Sequence, residues 1–211
     1  MLVSAIVLAA GFGARFGGPK HLAPLAGTRV VDRSLRTAAE SCDQVVLVLA
    51  EPLPAWTGQP LSAVVAGGAT RSSSVRAGLE AVDPRADVIV VHDAARPLAR
   101  ASLFADVIAA VAAGADAAVP GIPTTDTLKE VMDGVVIRTL ARDTIFSVQT
   151  PQAFAAAVLR SAHHGAPEGT DDAALVEAIR GRVVVVPGDR RNLKITDPDD
   201  LRVAEALLEQ P

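Results

Sequence analysis

A single cysteine, Cys42, stands among 211 residues, so no internal disulfide can hold this fold together. Placed at the end of a helical pattern, it reads as a small buried hydrophobe, not as a nucleophile. A basic excess is missing too: 20 Lys and Arg face 24 Asp and Glu, for a net charge of −4. With its cations dispersed, the chain has no electrostatic footprint for nucleic acid and no basic stretch for a membrane surface. No apolar run reaches spanning length, and Met1-Leu2-Val3-Ser4 carries no basic leader region. A soluble, reduced, cytoplasmic protein is expected. The chain also has no Ser/His/Asp constellation and no pair of carboxylates set for acid–base work.

Half of the residues are hydrophobic, enough for one substantial core and one domain over 1–211. Continuous apolar runs at Ala5–Ala10, Val45–Ala50, Val64-Val65, Val88–Val91, Ala117–Val119 and Val183–Val186 read as strands of a mostly parallel sheet covered on both faces. Helical patterns fit between them at Val31–Glu40, Ser72–Val82, Leu103–Ala113, Gln152–His163, Asp172–Ile179 and Pro198–Leu208. An α/β three-layer sandwich follows. One stretch breaks the alternation: over 124–148, Asp133-Gly134 separates two β-rich runs, a hairpin signal. Such a hairpin either trims a sheet edge or, being marginal alone, packs on another subunit. The Pro-rich stretch 51–61 reads as a surface connection.

The most telling segment follows the first strand: Gly11-Phe12-Gly13-Ala14-Arg15-Phe16-Gly17-Gly18-Pro19-Lys20. Glycines let backbone N–H groups approach phosphate oxygens, and Arg15 and Lys20 add full charges. The dinucleotide fingerprint needs Gly where Phe16 stands, and a Walker loop needs Ser or Thr after Gly-Lys. The pattern therefore leads away from hydride transfer and ATP hydrolysis, toward chemistry on a nucleotide's own phosphates. A dehydrogenase using Glu51 for ribose is the competing reading, disfavoured by that glycine spacing. Val88–Val91 delivers Asp93 at a strand's carboxyl end with Arg96 just beyond, either as ligand groups or as a local ion pair. Gly67-Gly68-Ala69-Thr70-Arg71-Ser72-Ser73-Ser74 is a glycine turn entering a helix, suited to reading a flat base, although its serines also suit a helix start. Lys194 lies between the last strand and the last helix, where α/β sheets place ligands. His92, by alternation, points away from Asp93 and reads as structural. Thr170-Asp171-Asp172 reads as a helix cap and His163-His164 as a polar helix end.

With its segments LAAGFGARFGGPK, GGATRSSSV, VHDAARP and NLKIT in this order, the chain resembles the Rossmann-like nucleotidyltransferases from Ala5 to about Leu207. Among them it is most similar to the methylerythritol-phosphate cytidylyltransferase family of isoprenoid-precursor biosynthesis. That resemblance implies CTP, a polyol phosphate and Mg²⁺ as reactants and cofactor, with ribitol phosphate as an alternative acceptor and a non-catalytic nucleotide-binding protein as another outcome. It implies catalytic roles for Arg15, Lys20 and Lys194, and CTP contacts from Ala9, Ala10, Gly11, Gly13, Gly68, Arg71, Ser74 and Asp93. Substrate contacts are implied for Asp93, Arg96, Thr127, Arg142 and Thr150, with Asp93 also near the metal. Thr127 and Arg142 would come from the hairpin arm of a partner subunit in a homodimer. The sequence departs from the family at His21, where Gln is usual, and at Thr70, where Glu is usual.

Overall fold

The computed structural model describes residues 1–11, 13–50 and 57–209. In chain order the strands are β1 (Val3–Ala9), β2 (Pro24–Leu25), β3 (Thr28–Arg29), β4 (Gln44–Leu49), β5 (Ala63–Ala66), β6 (Val88–Asp93), β7 (Ala117–Pro123), β8 (Lys129–Met132), β9 (Val135–Thr139), β10 (Phe146–Val148), β11 (Gln152–Ala155) and β12 (Val183–Pro187). The α-helices are α1 (Val30–Ser41), α2 (Arg71–Ala81), α3 (Ala101–Ala112), α4 (Ala156–Ala162), α5 (Asp172–Ala178) and α6 (Pro198–Glu209).

The apolar runs are continuous because their strands are covered on both faces. Along β1, Ala5 and Val7 join one core with Leu35 of α1 and Phe104 of α3. Ile6, between them, joins the opposite core with Val75 and Leu79 of α2, Leu159 of α4 and Val176 of α5. The sheet is thus the middle layer of three. Strands β5, β4, β1 and β6 are neighbours in that order and parallel, and β12 lies parallel along β7. Because β4 lies on one side of β1 and β6 on the other, the chain reverses its winding at β1. A crevice opens there at the strands' carboxyl ends.

One expectation is corrected. The stretch Gln152–His163 is not helical throughout: its first four residues form β11, and α4 covers only Ala156–Ala162. Strand β11 runs antiparallel between β6 and β7, so the sheet is mixed at this point. Phe154 is fully buried in that slot, and pairing on both sides outweighs the local helical pattern. The hairpin is present as β8 and β9, with Asp133 at φ 49 and Gly134 at φ 78 in its turn. Two positive φ values suit the right-handed twist of paired strands. Val131, Met132, Val135, Val136 and Ile137 on it are exposed. Cys42 is partly buried against the core, and burial beside Asp43 pushes its thiol up to about 12, so it is inert as a nucleophile. No helix among the described residues is long and apolar enough to cross a membrane.

Candidate active site

At the exit of β1 the chain enters the glycine turn. The N–H groups of Phe16, Gly17 and Gly18 converge on the Gly13 carbonyl at 2.9, 3.0 and 3.3 Å. These donors therefore close the turn on itself instead of facing outward, which narrows the backbone share in anion binding expected of this loop. Gly13 sits at φ +65, and a Cβ there would lie 2.0 Å from the Gly18 carbonyl oxygen, so only glycine closes the turn. Phe12 and Glu51 fall outside the described residues. Across the crevice, Gly67 packs so tightly on the β1 exit that a Cβ would lie 2.6 Å from that of Ala10.

Between these turns lies a cavity of about 240 Å³. Ala9, Ala10 and Gly11 line it from β1, Gly68, Arg71 and Ser74 from the second turn and α2, and Asp93 from β6. Lys20 and Lys194 line it as well. Three side-chain cations thus face one carboxylate, and on a chain of net charge −4 this makes a local site for an anion.

The charges are ordered around Asp93. Lys194 Nζ donates to Asp93 Oδ2 at 2.6 Å, and Arg71 Nε stands 3.8 Å from Oδ1. Burial opposes ionisation of Asp93, but Lys194, Arg71 and Arg96 outweigh it and hold the carboxyl down at about 2. Lys20 Nζ donates to the Ile195 carbonyl at 2.9 Å. Its pKa is lowered, first by burial and then by Lys194, with Arg15 adding to the effect against the pull of Asp93. Such a lysine is a cation crowded by cations, and an arriving polyphosphate relieves that repulsion.

The anchor of Lys194 lies beneath. Gln149 Nε2 donates to the Asp189 carbonyl at 2.8 Å, and its Oε1 accepts from the Asp189 N–H at 3.1 Å. Buried Asn192 donates to the Thr150 carbonyl at 2.9 Å. Thr150 Oγ1 in turn accepts from the Asp93 N–H at 3.0 Å and lies 3.2 Å from His92 Nδ1. This polar layer ties the turn bearing Lys194 to the end of β6.

Several expected residues lie elsewhere. Thr150 is buried, with its hydroxyl engaged under the site. Arg96 does not pair with Asp93 as a local salt bridge; its Nη1 donates to the Asn192 carbonyl at 2.8 Å. Gly13 and the exposed Arg15 do not line the cavity. Thr127 and Arg142 are exposed at the hairpin's base, with Arg142 Nη1 donating to the Thr125 carbonyl at 2.9 Å. His92 is buried as expected, against Phe104, and burial drives its pKa down to about 4 despite the neighbouring Asp93.

Other residues were not legible in advance. His21, where the sequence departs from the family's usual Gln, lines the cavity, its pKa lowered by burial and then by Lys20 and Arg29. Thr70 lines it too, and closes a capping box with Ser73 at the start of α2. Asp171 caps α5 as expected, but Asp172 is fully buried, and His163, expected at a polar helix end, is buried against it.

The family model for 2-C-methyl-D-erythritol 4-phosphate cytidylyltransferase matches residues 3–210. The chain belongs to this cytidylyltransferase family. It is 45% identical to the 2-C-methyl-D-erythritol 4-phosphate cytidylyltransferase of Saccharopolyspora erythraea, over 99% of this chain and 100% of that one. It is 45% identical to that of Frankia casuarinae, over 98% and 81%. The crystal structure of the Thermus thermophilus cytidylyltransferase superposes with a TM-score of 0.82 at 38% identity, covering 98% of each chain. The fold is accordingly the Rossmann-like nucleotidyltransferase fold of that family, and the cationic cavity lies at the carboxyl ends of the parallel strands, where open α/β sheets place their ligands.

Proposed function

We propose that this protein transfers the cytidylyl group of CTP to 2-C-methyl-D-erythritol 4-phosphate, forming 4-diphosphocytidyl-2-C-methyl-D-erythritol and pyrophosphate for isoprenoid-precursor synthesis. The observation that carries the reading is the cavity at the β1 and β6 exits, where Lys20, Arg71 and Lys194 face Asp93 in a chain of this family. A substrate phosphate oxygen attacks the α-phosphorus, and the bond from that phosphorus to the bridging oxygen of the β-phosphate breaks. A phosphate monoester has its second pKa near 6, so the nucleophile arrives ionised and needs no general base. What must be overcome is repulsion between two anions and the charge that grows on the leaving oxygens.

Lys20 and Lys194, neighbours across the Lys20–Ile195 contact, supply that stabilisation together, and Arg15 completes it from the glycine turn as the phosphates arrive. Arg71, Ser74 and the backbone at 9–11 and 68 hold the nucleotide. Arg96 and Thr150 support the acceptor side. Mg²⁺ supplies charge neutralisation and orientation to the triphosphate. No cluster of three or more His, Cys, Asp or Glu suited to a metal occurs among the described residues. Asp93, ionised down to about pH 2 and lining the cavity, is the protein oxygen suited to a magnesium ion held mainly by phosphates. The hairpin's five exposed apolar residues suit an arm laid on a second copy of the chain, bringing Thr127 and Arg142 to the partner's cavity. In this reading the protein is a cytoplasmic homodimer.

The test is a pyrophosphate-release assay over the four nucleoside triphosphates, with methylerythritol phosphate and ribitol 5-phosphate in parallel. CTP with the former should give the highest kcat/KM. Release of orthophosphate, or a preference for ribitol phosphate, would overturn the assignment.

A further inference from the structure

Behind the cavity wall lies a chain of charge that the transfer chemistry does not use. Asp172, in the first turn of α5, has no exposure at all. Its Oδ2 accepts from Arg71 Nη1 at 2.7 Å, and its Oδ1 lies 2.9 Å from Nε2 of His163, itself 5% exposed. Arg71 lines the cavity from the other side and stands 3.8 Å from Asp93, beyond hydrogen-bond reach.

A buried ion pair adds little stability over well-packed apolar residues, because desolvating both charges offsets their attraction. What it supplies is direction. Arg71 lies between two carboxylates, and only Asp172 is within hydrogen-bond distance. Freed from Asp172, the guanidinium would close the remaining gap to Asp93 and form a tight pair at Oδ1, leaving Lys194 on Oδ2. Asp172 therefore holds Arg71 back from Asp93 and keeps the rest of its donor edge on the cavity. His163 takes the second oxygen of Asp172, so the carboxylate cannot rotate away.

We propose that Asp172, held by His163, is a positioning residue that fixes the Arg71 guanidinium for binding the nucleotide. The inference rests on the nucleotide reading of the cavity given above. It predicts a defect in CTP affinity, not in the transfer step, since Lys20 and Lys194 are not in this chain of contacts.

The experiment measures CTP binding by calorimetry, beside kcat at saturating CTP, for wild type, Asp172→Asn, His163→Leu, Arg71→Lys and the Arg71→Lys/Asp172→Asn pair. Asp172→Asn should weaken CTP binding about tenfold and His163→Leu about threefold, with kcat within about threefold of wild type. In the Arg71→Lys background, Asp172→Asn should change CTP affinity less than about twofold, because its effect passes through the guanidinium. Unchanged CTP affinity in folded Asp172→Asn, or effects that multiply in the double variant, would overturn the proposal. So would a fall in kcat with affinity intact. If Asp172→Asn alone does not fold, the Arg71→Gln/Asp172→Asn pair leaves no unmatched charge, and its CTP affinity should equal that of Arg71→Gln; a difference beyond about threefold would overturn the proposal. Wild-type protein that binds CTP but releases no pyrophosphate defeats the transferase reading and leaves this test intact, whereas failure to bind CTP defeats both.

Discussion

Acid should destabilise this protein through His92, and by a measurable amount. The imidazole is wholly buried against Phe104, with Nδ1 3.2 Å from the Thr150 hydroxyl. Thr150 Oγ1 already accepts from the Asp93 N–H, so its own proton is available to a neutral Nδ1. Burial holds the folded pKa at about 4, against about 6.5 in the unfolded chain. A base with a depressed folded pKa contributes fully above about pH 6.5. Below that the unfolded chain takes up a proton that the folded one refuses, and stability falls until the folded pKa is passed. Between neutral pH and about pH 4.5 the linkage amounts to about 2 to 3 kcal/mol. Urea unfolding of wild type and His92→Gln at about pH 7.5 and about pH 4.5 isolates it, since the other titrating groups are common to both proteins. Whatever its stability at neutral pH, the variant should lose about 2 to 3 kcal/mol less than wild type on acidification. Equal losses would refute a neutral buried imidazole.

Lys20→Ala and Arg15→Ala should each lower kcat by about a hundredfold or more while leaving substrate KM less affected, because each removes charge from the transition state. Weakened CTP binding at unchanged kcat would refute that role. Gly13→Ala, with its Cβ 2.0 Å from the Gly18 carbonyl oxygen, should open the turn and weaken CTP binding more than about tenfold in calorimetry. Wild-type affinity there would show that the turn tolerates rearrangement. Mixing inactive Lys20→Ala with inactive Arg142→Ala under subunit exchange should restore about a quarter of wild-type activity, since random pairing makes about half the dimers mixed and each holds one intact site. No recovery despite demonstrated exchange would place Arg142 in the service of its own chain.

Much of the site was legible because its residues stand where local pattern and topology coincide. Gly11, Lys20 and Lys194 lie in the connections around strand ends and Asp93 closes β6, and the crevice of a mostly parallel sheet gathers such positions. What was not legible depends on contacts distant in sequence. Gln152–Ala155 continues a helical pattern, and only the gap between β6 and β7 makes it a strand. Asp172 looks like one more acid at a helix start until Arg71, 101 residues earlier, is found against it. His163 sits beside exposed His164 and differs only in which side of α4's end it faces. Thr150 matches a ligand position of the family, yet the structure buries it and gives its hydroxyl to the backbone of Asp93 instead.

The hairpin leaves the sheet after β7 and returns through β10 directly into Gln149, whose amide clasps Asp189 on the turn that carries Lys194. Tip and root are thus under opposite constraints. Residues added around Asp133-Gly134, where everything is exposed, leave the Gln149–Asp189 joint of the same chain in place. One residue inserted between β10 and Gln149 would shift the strand alternation and turn that amide away from Asp189. An engineer exchanging arms between relatives therefore meets a fixed joint at the root, whatever the length of the arm. A chimera joined after Val148 with the wrong register would lose turnover through the turn that carries Lys194, whatever the arm itself contacts.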